Sequence, residues 1–278
     1  MKIYYAFPNL ENPFWQQIVE GLKEKAAAES LQVELLPAGD DENRQVADLG
    51  KLLGQKSEVL AVSPAGMSRL KALIRRMIDQ GLHIIAIDCN IGENVTASII
   101  SGNTQGGMAL GNFLASRLRQ AGRVVHLQAQ LDLQSAVMRR NSFLSVCQKS
   151  HFEIIETISA GGSRSQARSK MEAFLRQGVP FDGVFAENDM MALGVVDALS
   201  AHQPKSWPMI VGFDGIPEAI QNLRQGRLAA TVMQKPREMG EKAAEIAGKI
   251  SRNLPFDKLT TILTHLITRE NVDQYYPV

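Results

Sequence analysis

One pattern occurs twice in this chain and restricts its fold more than any other feature. A β-branched apolar run, a polar corner, a helix-period stretch and a second apolar run ending in aspartate extend from VLAVSPAG at 59–66 to IIAID at 84–88. The same succession extends from GVFAENDM at 183–190 to IVGFDG at 210–215. The separations from Ser63 to Asp88 and from Asn188 to Asp214 differ by one residue. KIYYAF at the start and VVHLQA at 124–129 head the two halves alike. Strands that alternate with helices and read as continuous Val/Ile/Leu runs belong to parallel sheets covered on both faces. The chain is therefore expected to be α/β, with two similar Rossmann-like lobes.

Helices are read from spacing. Apolar side chains return every three or four residues at Val46, Leu49 and Leu53, and at Met239, Ala243, Ile246 and Ile250, which places each set on one helix face. Further helices are expected over Phe14 to Ala28 and around Leu70 to Ile78. A length of 278 residues allows two cores, and 45% hydrophobic with 21% charged residues is globular composition. The formal net charge of +1 offers no field for nucleic acid or an anionic membrane, and no stretch reaches the roughly 20 apolar residues of a membrane helix. Cys89 and Cys147 have neither CxxC nor Cys/His metal spacing, and no cofactor is expected. MKIYYAFPNL enters directly into a strand without the features of a signal peptide, as in a cytoplasmic protein or a mature extracytoplasmic one.

Open α/β sheets bind ligands at the carboxyl ends of their strands. Asn12, Ser63 and Asp88 fall there in the first half, and Arg139, Asn188 and Asp214 in the second, so polar residues of both halves converge if the two edges face one cleft. Asn12 and Pro13 suit a helix start. Phe14 and Trp15 point about 100° apart on a helix, too far for one narrow core stripe, so either both pack on the fold or at least one offers its face to a sugar ring. Asp88 and Asp214 either cap turns or accept paired hydroxyls. Of Arg139 and Arg140, one is expected to be solvated and the other to present its planar fork to a ligand. Asn188 and Gln234 donate and accept at once, as hydroxyls require.

Catalysis finds little support, and no enzyme is expected. The five histidines are scattered, and GxSxG, Walker and HExxH motifs are absent.

The segments ENPFW, IIAID, SAVMRRNSF, VFAENDMMALG, IVGFDG, ATVMQKP and ITRENVDQYY, taken in order along the whole chain, resemble those of the ribose-type periplasmic sugar-binding proteins. These share the type I periplasmic binding protein fold with the sensing cores of LacI-type repressors. The resemblance implies a three-strand hinge, with one lobe of 1–102 plus 235–262 and another of 103–234 plus 263–278. It implies a monosaccharide or similar polyhydroxylated ligand in the interlobe cleft, lined by Asn12, Phe14, Trp15, Asp88, Arg139, Asn188, Asp214 and Gln234, and Cys89, next to Asp88, is added to the candidate lining. Cys89 stands where the ribose-type proteins carry arginine, and Gly162 where they carry an aromatic, so plain ribose is disfavoured. The implied role is a monomeric, periplasmic solute receptor serving an ABC permease. The alternatives are a LacI-type regulator core, which would be dimeric and cytoplasmic, and the sensing domain of a membrane receptor or kinase.

Overall fold

The computed structural model describes residues 1–54, 59–92, 94–118 and 122–277. It divides into two compact units. Unit 1 comprises Met1–Ser101, Asp132–Ser135 and Lys235–Leu263, and unit 2 comprises Gly102–Leu131, Ala136–Gln234 and Thr264–Val278.

Unit 1 contains β1 (Lys2–Phe7), α1 (Pro13–Ala28), β2 (Gln32–Pro37), α2 (Glu42–Gly50), β3 (Val59–Val62), α3 (Leu70–Asp79), β4 (His83–Ile87) and β5 (Ala97–Ser101). In unit 2 follow α4 (Asn103–Arg117), β6 (Gly122–Gln128), α5 (Gln134–Cys147), β7 (Phe152–Ser159), α6 (Arg164–Leu175), β8 (Gly183–Ala186), α7 (Asp189–His202), β9 (Met209–Asp214), α8 (Pro217–Arg224) and β10 (Ala230–Met233). The chain returns to unit 1 with α9 (Pro236–Ser251) and β11 (Leu259–Ile262), and ends in unit 2 with β12 (His265–Thr268) and α10 (Val272–Tyr275).

The repeat seen in the sequence is a repeat of topology. The strand orders are β11-β5-β4-β3-β1-β2 and β12-β10-β9-β8-β6-β7, the same arrangement with β6 in the place of β1. All neighbours run parallel except β12, which pairs antiparallel with β10. β3 and β8 are buried throughout, as strands at the centre of sheets covered on both faces must be. β2, at an edge, alternates in exposure.

The helices follow their spacing. α1 buries Phe14, Ile18, Leu22 and Ala26 along one face, and its first turn is closed by Asn12 and Pro13. α2 runs Glu42–Gly50; it starts earlier than its apolar residues alone suggest because the Asp41 side chain caps it by accepting from Asn43 and Arg44 N–H, and it ends before Leu53. α3 has no side-chain cap of its own. Glu42 of α2 supplies it, accepting from Arg69 N–H at 2.6 Å and Leu70 N–H at 3.1 Å. Among the described residues no helix is long and apolar enough to cross a membrane.

Candidate functional site

In unit 1 the polar residues stand where β1, β3 and β4 end. Asn12 is a helix cap: its Oδ1 accepts from Phe14 N–H at 2.9 Å. Phe14 turns into the core beside Ile3, Tyr5 and Ile18, while Trp15 is half-buried against the same cluster. The rings meet edge to face, centroids 4.8 Å apart. Ser63 is fully buried, its hydroxyl donating to Ile87 C=O at 3.1 Å and lying 3.0 Å from the Tyr5 hydroxyl, which ties the ends of β1, β3 and β4 together. Asp88 has a left-handed backbone at φ 60°, so the chain turns sharply there. Cys89 packs in the apolar cluster with Val62, Ile84 and Ile91, where burial, then the Asp88 charge, pushes its thiol well above its ordinary pKa. Among the described residues no group of His, Cys, Asp and Glu could hold a metal ion.

Unit 2 carries a denser constellation. α5 leans Arg139 over the end of β9, its guanidinium 3.9 Å from the centre of the Phe213 ring. Arg139 Nε donates to Asn103 Oδ1 at 2.7 Å, and Nη1 to Glu187 C=O at 3.1 Å and Asp214 Oδ1 at 3.5 Å. Gln234 Nε2 donates to the same Asp214 oxygen at 2.7 Å. Gln234 Oε1 is buried and accepts no hydrogen bond among the described residues. Burial raises the Asp214 pKa to about 6 against the lowering influence of Arg139, Gln234 and the Asp189 N–H.

Neither arginine of the pair is solvated, contrary to the expectation from sequence. Arg140 gives Glu187 two parallel bonds, Nε to Oε1 at 2.7 Å and Nη2 to Oε2 at 3.1 Å. The reason is Glu187, a fully buried carboxylate that also meets His126 Nε2 at 2.7 Å and Ala129 N–H at 2.9 Å. Burial works against its charge, but the bonds from His126 and Arg140 prevail and lower its pKa.

Asn188 caps α7, its Oδ1 accepting from Met191 N–H at 2.8 Å and its Nδ2 donating to Gly162 C=O at 3.1 Å. Gly162 has φ 82°, and a Cβ there would lie 3.2 Å from Gln130 Oε1. The structure thus joins Arg139, Asp214 and Gln234 by direct bonds and sets Asn188 at the next corner. Asn103, Glu187 and Asp189 are bonded into or beside this cluster, and strand-end reasoning does not reach them. Glu187 and Asp189 flank Asn188, and the signal for them is composition: a helix start needs one capping side chain, whereas this corner holds three polar residues in a row.

Two α/β units of one topology, each with polar residues gathered at the carboxyl ends of parallel strands, define a class of two-lobed solute-binding proteins. The chain belongs to the periplasmic binding protein domain family, which it matches over residues 3–253. It is 26% identical over 242 residues to the ribose import binding protein of Bacillus subtilis, covering 87% of this chain and 78% of that one. It is 25% identical over 264 residues to the D-allose-binding periplasmic protein of Escherichia coli, covering 90% and 85%. Among solved structures, the Caulobacter myo-inositol binding protein bound to myo-inositol is 26% identical, with a TM-score of 0.91 and coverage of 99% and 95%.

Proposed function

We propose that the chain is the solute receptor of an ABC importer, and that it takes a small neutral polyhydroxylated ligand, a monosaccharide or a cyclic polyol, on the polar edges of its two units. The observation that carries this reading is the Arg139–Asp214–Gln234 cluster, in which a buried Gln234 Oε1 accepts no hydrogen bond among the described residues. A buried acceptor left unmade costs about 1–3 kcal/mol, and a ligand hydroxyl would recover it. Asp214 accepts, Arg139 donates, and a sugar hydroxyl does both. The ligand is neutral because Arg139 is already matched by Asp214, so a carboxylate or phosphate would find no unmatched positive charge there. The names of the relatives, which bind ribose, D-allose and myo-inositol, support the same class.

Unit 1 contributes Asn12, Trp15 and Asp88 in this reading, with Phe14 and Cys89 shaping the wall from beneath, and unit 2 adds Asn188. The ligand favours whichever conformation makes more contacts to it, and a permease reads that conformation. The receptor acts as an extracytoplasmic monomer. Thermal unfolding of the dialysed protein with D-ribose, D-allose, L-arabinose and myo-inositol tests the reading. A ligand held at a hundredfold excess over its Kd adds about 2.7 kcal/mol, a shift of about 5 °C at this size. Absence of a shift with every polyhydroxylated compound, after partial unfolding to strip carried-over ligand, would reject it.

A further inference from the structure

Asp189 has no exposed surface and opens α7, one residue after Asn188. Its side chain does not cap its own helix. It crosses to the end of β9, where Oδ2 accepts from Gly215 N–H at 2.7 Å and Ile216 N–H at 3.0 Å. Oδ1 accepts from the Thr231 hydroxyl of β10 at 2.7 Å. The niche exists because β9 carries glycine opposite Thr231: a Cβ on Gly212 would lie 2.2 Å from Asp189 Oδ1.

What this grip holds is Asp214. Its backbone has φ 128°, a conformation that L-residues avoid and that persists only where the surroundings over-determine it. Two successive peptide planes are fixed at both edges. In the plane from Asp214 to Gly215, the carbonyl accepts from Gln234 N–H at 3.0 Å and the N–H is held by Asp189. In the plane from Gly215 to Ile216, the carbonyl accepts from the Tyr276 hydroxyl at 2.8 Å and the N–H is again held by Asp189. Tyr276 comes from the chain's last turn, and Gly215 is glycine because a Cβ would meet that hydroxyl at 2.6 Å.

We infer that Asp189, with Tyr276, is a positioning residue of the binding site, which locks the strained backbone of Asp214 so that its carboxylate is preset for a ligand hydroxyl. The inference rests on the proposed sugar site for its purpose, and on backbone geometry alone for its mechanism. Preset acceptors bind more tightly because ordering costs are met before the ligand arrives.

The test joins two readouts on the full chain. Amide hydrogen exchange, residue by residue, should show Gly215 and Ile216 exchanging at least about tenfold faster in Asp189→Ala, with Val184 and Phe185 of β8 still protected. Asp189→Asn, which keeps an acceptor for the two amides, should restore most of the protection. Calorimetric titration with D-allose and with myo-inositol should follow the same order, affinity falling about tenfold in Asp189→Ala and recovering in Asp189→Asn. Unchanged exchange at Gly215 and Ile216, or protection lost evenly across β8, β9 and β10, would overturn the inference. If Asp189→Ala does not fold, Tyr276→Phe takes its place: faster exchange at Ile216 with weaker sugar binding supports the clamp, and no change in either refutes it. If neither compound binds the unmodified protein, the sugar reading loses its support while the exchange result still decides whether Asp189 locks Asp214.

Discussion

At the scale of single residues, the unit 2 cluster turns on the geometry of one guanidinium. Arg139 spends its fork on Asn103, Glu187 and Asp214 and lays its plane on Phe213. A lysine has neither the fork nor the plane. Arg139→Lys should therefore keep the fold but abolish the ligand-induced rise in melting temperature, as thermal unfolding with and without the bound sugar would show. Asp214 supplies a second prediction. Burial raises its pKa to about 6, so in acid it holds a proton and loses one acceptor. Sugar affinity should weaken as pH falls from 8 to 5, with the change centred near that value, when calorimetric titrations are run at each pH. Asp88, Asn188, Asp214 and Gln234 could be singled out in the sequence because strand ends are legible, and the structure sets them at or just past the ends of β4, β8, β9 and β10. Glu187 and Asp189 were not singled out, since their importance comes from residues distant in sequence, His126 and Arg140 in one case and Gly215, Ile216 and Thr231 in the other.

Among elements, glycine decides how closely helices approach. α1 and α9 cross through a reciprocal pair: a Cβ on Gly21 would lie 2.1 Å from Arg237 C=O, and one on Gly240 would lie 2.1 Å from Ile18 C=O. Both obstacles are backbone, so neither can swing aside. Gly240→Ala should destabilise the protein by about 1–3 kcal/mol, the usual cost of overpacking, despite the better helix propensity of alanine. Urea unfolding would read it as a lower midpoint at an unchanged slope. α4 meets α5 in the same way at Gly107, where a Cβ would lie 2.4 Å from Arg139 C=O. Helix periods were visible in the sequence because burial writes them in side chains of every turn. The crossings were not, because a glycine in a helix looks the same whether it faces solvent or another backbone. The start of α3 at Leu70 was legible, but its cap was hidden for a related reason: Glu42 belongs to α2.

For the whole molecule, the repeat accounts for the placement of function. Strand order β2-β1-β3-β4-β5-β11 in one unit equals β7-β6-β8-β9-β10-β12 in the other, so corresponding corners recur: Ser63 with Glu187, one residue before the Asn188 that the sequence spacing pairs with it, and Asp88 with Asp214. That correspondence could be read from the sequence to within one residue, whereas the energetics at the corners have diverged. Unit 1 fills its corner with Ser63 hydroxyl bonds and a buried Cys89, while unit 2 buries two carboxylates, Asp189 and Asp214, side by side. Burial, followed by repulsion from Asp214, raises Asp189 from the ordinary 3.8 to about 7. The native protein thus keeps a proton that the unfolded chain gives up, and unfolding is made easier as pH rises between those two values. This contribution to stability is fully present below the ordinary value and is lost as pH climbs through the raised one, at up to about 1.4 kcal/mol per pH unit for each proton. Glu187 acts in the opposite sense, but its lowered pKa confines its effect to more acid solution. Asp189→Asn removes the titrating group and keeps acceptors for Gly215 and Ile216. Urea midpoints measured at pH 5 and pH 8 should therefore differ less in Asp189→Asn than in the unmodified protein, with the variant gaining on it toward pH 8. Parallel midpoints across that range would show that Asp189 titrates as it does in an unfolded chain, and that the carboxylate pair costs the fold nothing at neutral pH.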